Sequence, residues 1–160
     1  MAVRKPKVSR VWRTWYPFTT GLFIRDYLLR RGRAYIYEMW NEFRRTLKDM
    51  GYPYWGSYDS FRKYINYLQR LNLIRCVGTE PASRPWLADR RLFEVVPENV
   101  NVIEAWARPQ VVLYPETVYG KRRYAKRRAE AKRLGITVRE LALMEHPEIL
   151  EIRRRLELKS

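Results

Sequence analysis

One cysteine, one histidine and no long apolar run in 160 residues remove several classes of protein from consideration. A lone thiol, Cys76, cannot form an internal disulfide, which fits a reducing compartment. It falls inside a strand candidate, where a free thiol is expected to behave as a small buried hydrophobe. His146 alone cannot build a histidine-based metal cluster or the base of an acyl-transfer triad, and beside Pro147 it reads as a helix-end residue. The chain has no GxxxxGK phosphate loop, no glycine-rich dinucleotide turn, and no HExxH or paired-cysteine spacing. Glu38 and Glu42 sit at helical spacing, but with Arg44 and Arg45 beside them they read as surface electrostatics. No constellation supports any of the twelve tyrosines as a nucleophile, so a non-enzymatic protein with no metal and no cofactor is expected. The opening MAVRKPKVSRV lacks the apolar run of a signal peptide and no 18-residue apolar stretch occurs, so the expected location is cytoplasmic.

Acid is scarce as well. Seventeen Asp and Glu face 33 Lys and Arg, for a net charge of +16 and a pI near 10.3. A field of that sign on so small a body draws polyanions at long range and makes their binding salt-dependent. Hydrophobic residues make up 46%, ordinary for a folded protein, so the charge belongs to a structured surface and not to a disordered tail. Abundant Arg, Glu and Tyr with few Gln lean towards a thermophilic source.

Residues 1–18 divide into a basic stretch with Lys5, Lys7 and Arg10, and no acid, followed by Trp12, Trp15, Tyr16 and Phe18. They read as an arm that lies along phosphates, its aromatic end packed back on the body. Thr19 can cap a helix through about Arg31, with Phe18 and Phe23 as a hydrophobic staple, and Gly32 ends it. Ile36, Trp40, Phe43, Leu47 and Met50 step by four and three, which predicts a second helix from about Ala34 to Met50, closed by Gly51. GYPYWG then serves as a turn.

The most informative stretch is SYDSFRKYINYLQRLNLIRCV, from Ser57 to Val77. A helix that begins at Ser57 and advances about 100° per residue puts Phe61, Tyr64, Ile65, Leu68 and Leu71 in one arc. The opposite arc collects Arg62, Lys63, Asn66 and Arg70, with Tyr67 at its edge. One side can be dry while the other is cationic and amide-bearing. Residues 73–77 and 91–96 read as an antiparallel hairpin, its long loop holding Arg84, Trp86, Arg90 and Arg91. Residues 97–114 are expected to be a linker that packs on the domain, with a short helix near Val100 to Ala107.

From Pro115 a helix is predicted to run to Gly135. Between Lys121 and Arg133 it has eight bases, among them Arg122, Arg123, Lys126, Arg127 and Arg128, against Glu130 alone. Lacking an apolar face, such a helix gains little from packing and suits phosphate contact. Thr137 and Glu140 are in capping-box register for a last helical segment that Pro147 breaks or restarts. Its apolar residues could pack on the body or support a homodimer or larger assembly through residues 137–160.

Three helices followed by a hairpin is the order of a winged helix-turn-helix domain. Residues 19–96 resemble that superfamily, and FRKYINYLQRLNLIRCV in particular resembles its recognition helix and first wing strand, with Asn72 where a glycine-type stop is usual. The resemblance implies a mainly α fold with a small β-hairpin wing, here with a basic helical C-terminal extension over residues 115–160. It also implies binding of double-stranded DNA, in transcription or genome organisation. Asn66 would read adenine, Arg62, Lys63 or Arg70 would meet guanine or phosphate, and Arg84, Arg90 and Arg91 would touch backbone or minor groove. Lys5, Lys7 and Arg10, with Lys121, Arg122, Arg123, Lys126, Arg127 and Arg128, would add sequence-independent affinity. Two alternatives stay open. One is an RNA-binding ribonucleoprotein component, such as a ribosome-associated protein, with bases stacked on Tyr58, Tyr64 or Tyr67. The other is a protein-interaction winged helix built on exposed Trp55, Trp86 and Trp106.

Overall fold

Thr19 opens the first helix, its hydroxyl oxygen accepting the Leu22 N–H at 3.4 Å. In the computed structural model, which describes residues 19–51, 57–82, 84 and 90–158, α1 spans Thr20–Arg31 and stops at Gly32, whose φ of 81° an L side chain rarely adopts. The arm with Lys5, Lys7 and Arg10, the Phe18 half of the staple, the turn around Trp55 and the loop residue Trp86 lie outside the described residues.

Past Gly32 the chain is extended, and Ala34–Tyr35 form a strand, β1, where the sequence predicts the start of a helix. The backbone of these two residues pairs with a strand almost sixty residues later, a partner that local periodicity does not register. The second helix, α2, therefore begins at Ile36 and runs Ile36–Asp49, with Glu38 accepting the Tyr35 N–H at 3.2 Å to close its first turn. Glu38 also accepts the Tyr27 hydroxyl at 2.8 Å, so it joins α1 to α2 instead of serving surface electrostatics. Trp40, Phe43 and Leu47 face inward as expected, but Met50, one residue past the helix, is 39% exposed.

Ser57 accepts the Ser60 N–H at 3.1 Å and starts α3, Tyr58–Arg70. Phe61, Ile65, Leu68 and Leu71 are fully buried against α1 and α2, where Trp40, Phe43 and Phe61 pack ring against ring. Asn72 stops the helix at φ 61°, with the Leu73 N–H donating to the Leu68 carbonyl and the Asn72 N–H to that of Gln69. Asparagine tolerates this left-handed geometry better than most residues, so it does a glycine's work here.

Strands β2, Ile74–Glu80, and β3, Arg90–Val95, form the hairpin, both longer towards the loop than the apolar pattern predicts. With β1 they make an antiparallel sheet in the order β1-β3-β2, and Phe93 of the central strand is fully buried. Opposite Phe93 lies Cys76, but opposite Leu92 lies Gly78, so Val77 is an extra residue at a bulge. Cys76 is exposed, contrary to the expectation of a buried thiol, and its Sγ–H donates to the Gly78 carbonyl at 3.4 Å across the bulge.

Residues 97–114 form a 3-10 turn at Pro97–Asn99 and two short helices, α4 at Ile103–Ala107 and α5 at Pro109–Leu113. They contribute Val102, Ala105, Trp106, Val112 and Leu113 to the main core. Trp106 is fully buried, its indole N–H donating to the Asn99 carbonyl at 3.1 Å, which removes it from the exposed aromatics expected of a protein-docking face.

Pro115–Tyr119 is a 3-10 turn and not the first turn of a long helix. Gly120, at φ 69°, lets the chain change direction before α6, Gly120–Leu134, which ends at left-handed Gly135. The Thr137 capping box opens α7, Val138–Glu145, and Pro147 restarts the chain as α8, Pro147–Arg155. Ile152 and Leu156 enter the main core, while Ile149 packs with Val111. The apolar side of the last segment is thus largely turned onto the body. Two arginines complete that docking. Arg153, 5% exposed, donates to the Val112 carbonyl at 2.5 Å, and Arg139 donates to that of Leu113 at 3.3 Å, so the open C-terminal carbonyls of α5 are satisfied from α7 and α8. No helix among the described residues is long and apolar enough to cross a membrane.

Two substitutions probe this packing. A Cβ at Gly21 would sit 1.8 Å from the Trp106 carbonyl oxygen, so Gly21→Ala is expected to cost at least roughly 2 kcal/mol in chemical denaturation by forcing α1 from α4. Glu157 holds φ 56° in the turn after α8, and Glu157→Gly is expected to stabilise by roughly 0.5–1 kcal/mol in the same assay.

Candidate nucleic-acid interface

Because α3 buries one arc, its other arc has to face out. Arg62, Lys63 and Asn66 are exposed there, as the periodicity requires. They line an open cleft of about 260 Å³ together with half-buried Gln69, with Ile36 at the start of α2, and with Arg91 on strand β3. Three cations and two amides from two separate elements therefore surround one hollow with an aliphatic floor. Its chemistry suits a polyanion that also offers hydrogen-bonding edges: guanidinium and ammonium groups for phosphate or guanine, amides for adenine. Gln69 was missed by the sequence reading, although its spacing of three from Asn66 puts it on the same side of a helix.

Other sequence-predicted residues are held elsewhere. Arg70 donates a short hydrogen bond to the Tyr114 hydroxyl and lies over that ring at 5.4 Å. Tyr67 is half-buried, edge-on to both Tyr64 and Tyr114. The two thus belong to a clamp between α3 and the end of α5. Burial pushes the Tyr64 phenol up from its ordinary pKa. Arg62 keeps a 3.6 Å ion pair with Asp59, but both are exposed and such a pair yields readily to a phosphate.

On the hairpin, Arg91 lies over the Phe93 ring at 5.8 Å while remaining exposed. Arg90 lies over the Tyr35 ring at 5.2 Å and pairs with Glu80 at 3.6 Å, which ties it to the sheet. Arg84 is exposed in the hairpin loop. Glu94 is flanked by Arg75 at 2.8 Å and Arg33 at 3.5 Å, a pairing that neutralises the acid on this strand.

The second cationic feature is α6. Lys121, Arg122, Arg123, Lys126 and Arg128 are exposed, and among the helix residues only Ala131 is buried. Arg127 is the exception among the predicted contacts. It pairs with Glu145 at 3.2 Å and lies over the Tyr119 ring at 5.6 Å, so it fastens α6 to α7. Arg123 lies over the same ring at 6.0 Å. Among the described residues no group of three His, Cys, Asp or Glu side chains is placed to hold a metal ion. His146 lies between α7 and α8, 3.6 Å from Glu148.

Comparison with known proteins finds no matching family model, no similar curated protein and no similar solved structure.

The fastening of α6 depends on pH. The Tyr119 hydroxyl donates a short hydrogen bond to Glu145, and burial, then that bond and the Glu145 charge, raise the phenol's pKa above its ordinary 10.0. A raised native pKa means the contact contributes fully below pH 10.0 and is lost as the phenol ionises at higher pH. The denaturation midpoint of the wild type is therefore expected to fall more steeply above about pH 10 than that of Tyr119→Phe, which lacks the ionising group.

Proposed function

We propose that this chain is a non-enzymatic nucleic-acid-binding protein whose residues 19–96 act as a winged helix-turn-helix on duplex DNA. The observation that carries the reading is the shared cleft: Arg62, Lys63, Asn66 and Gln69 of α3 meet Arg91 of β3 around one opening, while the other side of α3 is sealed in the core. The element order α1, β1, α2, α3, β2, β3 and the sheet order β1-β3-β2 support the winged-helix assignment, since α3 is then the recognition helix and the hairpin its wing.

In this mechanism α3 enters the major groove. Asn66 and Gln69 present amides to adenine N6 and N7, Arg62 and Lys63 reach guanine or the flanking phosphates, and Arg91 anchors the wing to the backbone. Arg70 works at one remove, holding Tyr114 and so the edge of α3 against α5. The net charge of +16 speeds encounter with any duplex and makes affinity fall with salt. A role in transcription or genome organisation follows from such binding. Structured RNA is the second reading, favoured by the net charge of +16, which draws any polyanion without reading a base edge.

Selection of a preferred site from random duplex, followed by titration at several salt concentrations, tests the reading. Arg62→Ala and Asn66→Ala are each expected to cost about 1–3 kcal/mol on the preferred site and much less on random duplex. Arg128→Ala is expected to weaken every duplex alike, with the slope of log K against log salt reduced by about 0.9. Equal losses on both duplexes for the α3 variants, or tighter binding of structured RNA at the same salt, would remove the DNA-reading assignment.

A further inference from the structure

Among the described residues, helix α6 is fastened along one edge. Arg127 and Arg123 lie over Tyr119, Arg127 also reaches Glu145, and Ala131 is buried below. Advancing about 100° per residue from that edge, the outward arc resolves into two rows. Lys121, Arg128 and Lys132 form one; Arg122, Lys126 and Arg133 form the other. Ala125 and Ala129 run between them, and all eight residues are exposed. No acid falls within the arc; Glu130 lies at its border, half-buried, and pairs with Arg133.

That distribution of charge distinguishes two ways of meeting a polyanion. A helix laid against the outside of a duplex engages one backbone and needs one cationic row. A helix lying lengthwise in a groove has a phosphate wall on each side, and it needs cations on both flanks with little bulk between them. An α-helix with its side chains is about 10–12 Å across, and the B-DNA major groove is about 12 Å wide. The A-form major groove of duplex RNA is too deep and narrow to admit it. From Lys121 to Arg133 the rows extend about 18 Å, the length of roughly five base-pair steps.

We infer that α6 is a second duplex-DNA element, independent of α3, which lies along the major groove with its alanine edge inward and its two cation rows on opposite strands. This rests on the nucleic-acid reading above for the class of partner alone and uses nothing of the α3 cleft. The alanines bring the helix backbone near the groove floor and can contact thymine methyl groups.

The distinguishing experiment leaves the charge untouched. In the full chain, Ala125→Leu/Ala129→Leu keeps all six cations and uses a good helix former, but adds bulk where the groove floor would be. Binding to a 20-base-pair DNA duplex is followed by fluorescence anisotropy over a salt series, with circular dichroism to verify helix content and Ala129→Ser as a small-residue control. Groove seating predicts roughly tenfold weaker binding for the leucine variant and a salt slope reduced by about 2–3, as one row loses its phosphates, with the serine variant unchanged. Wild-type affinity and slope in the leucine variant would overturn the inference in favour of contact from outside. So would duplex RNA bound as tightly as DNA with the same sensitivity to leucine. The same pair is measured in an Arg62→Ala/Asn66→Ala background. Persistence of the leucine effect there supports an independent element, even if the α3 substitutions themselves change nothing, and its disappearance overturns independence.

Discussion

The burial of Phe61, Ile65, Leu68 and Leu71 against α1, α2 and the sheet is the contact on which the rest of the molecule depends. Each such side chain contributes about 1.5–3 kcal/mol on leaving water, and they step along α3 so that no rotation of the helix can keep them dry and hide Arg62, Lys63 or Asn66 as well. Exposure of the polar arc is therefore enforced by the core. The left-handed stop at Asn72 then aims β2 back along the helix, and the hairpin carries Arg91 to the side of α3 that the core left open.

Charge is managed in two ways across the chain. Around the body, acids are placed to hold arginines in position: Glu94 between Arg75 and Arg33, Glu145 beside Arg127, Glu116 beside Arg139 at 3.4 Å. In the α3 cleft and on the outer arc of α6, few acids intervene, and the cations face solvent. The excess of base is thus concentrated by where the acids are placed, and regions that look equally basic in composition differ in what they can offer a ligand.

Those parts of the fold that depend on periodicity within one segment were legible. Thr19, Ser57 and Thr137 cap helices where expected, Gly32, Gly51 and Gly135 end them with positive φ, and the two arcs of α3 fall as their spacing requires. What could not be read depends on partners distant in sequence. Ala34 and Tyr35 become a strand only because β3 is beside them. The bond from Arg70 to Tyr114 and the ion pair of Arg127 with Glu145 join residues far apart in the chain. Trp106 resembles any exposed tryptophan in a polar stretch until α1 presents Gly21 to it. Arg153, one of three consecutive arginines, lies four residues from Ile149 and three from Leu156, on the buried side of α8, while Arg154 and Arg155 are exposed; what the sequence does not show is the Val112 carbonyl that it meets there.

Trp106 also bears on modularity. Residues 97–114 are a linker in composition, yet they supply the Trp106 backbone that packs against Gly21, its buried indole, and the carbonyls that receive Arg139 and Arg153. Cutting the chain after Val96 would leave the first half with an unfilled hollow at the back of α1 and the second half with no body to dock on. The two basic regions therefore do not behave as interchangeable cassettes, and a graft that transplants either one has to bring the intervening eighteen residues with it.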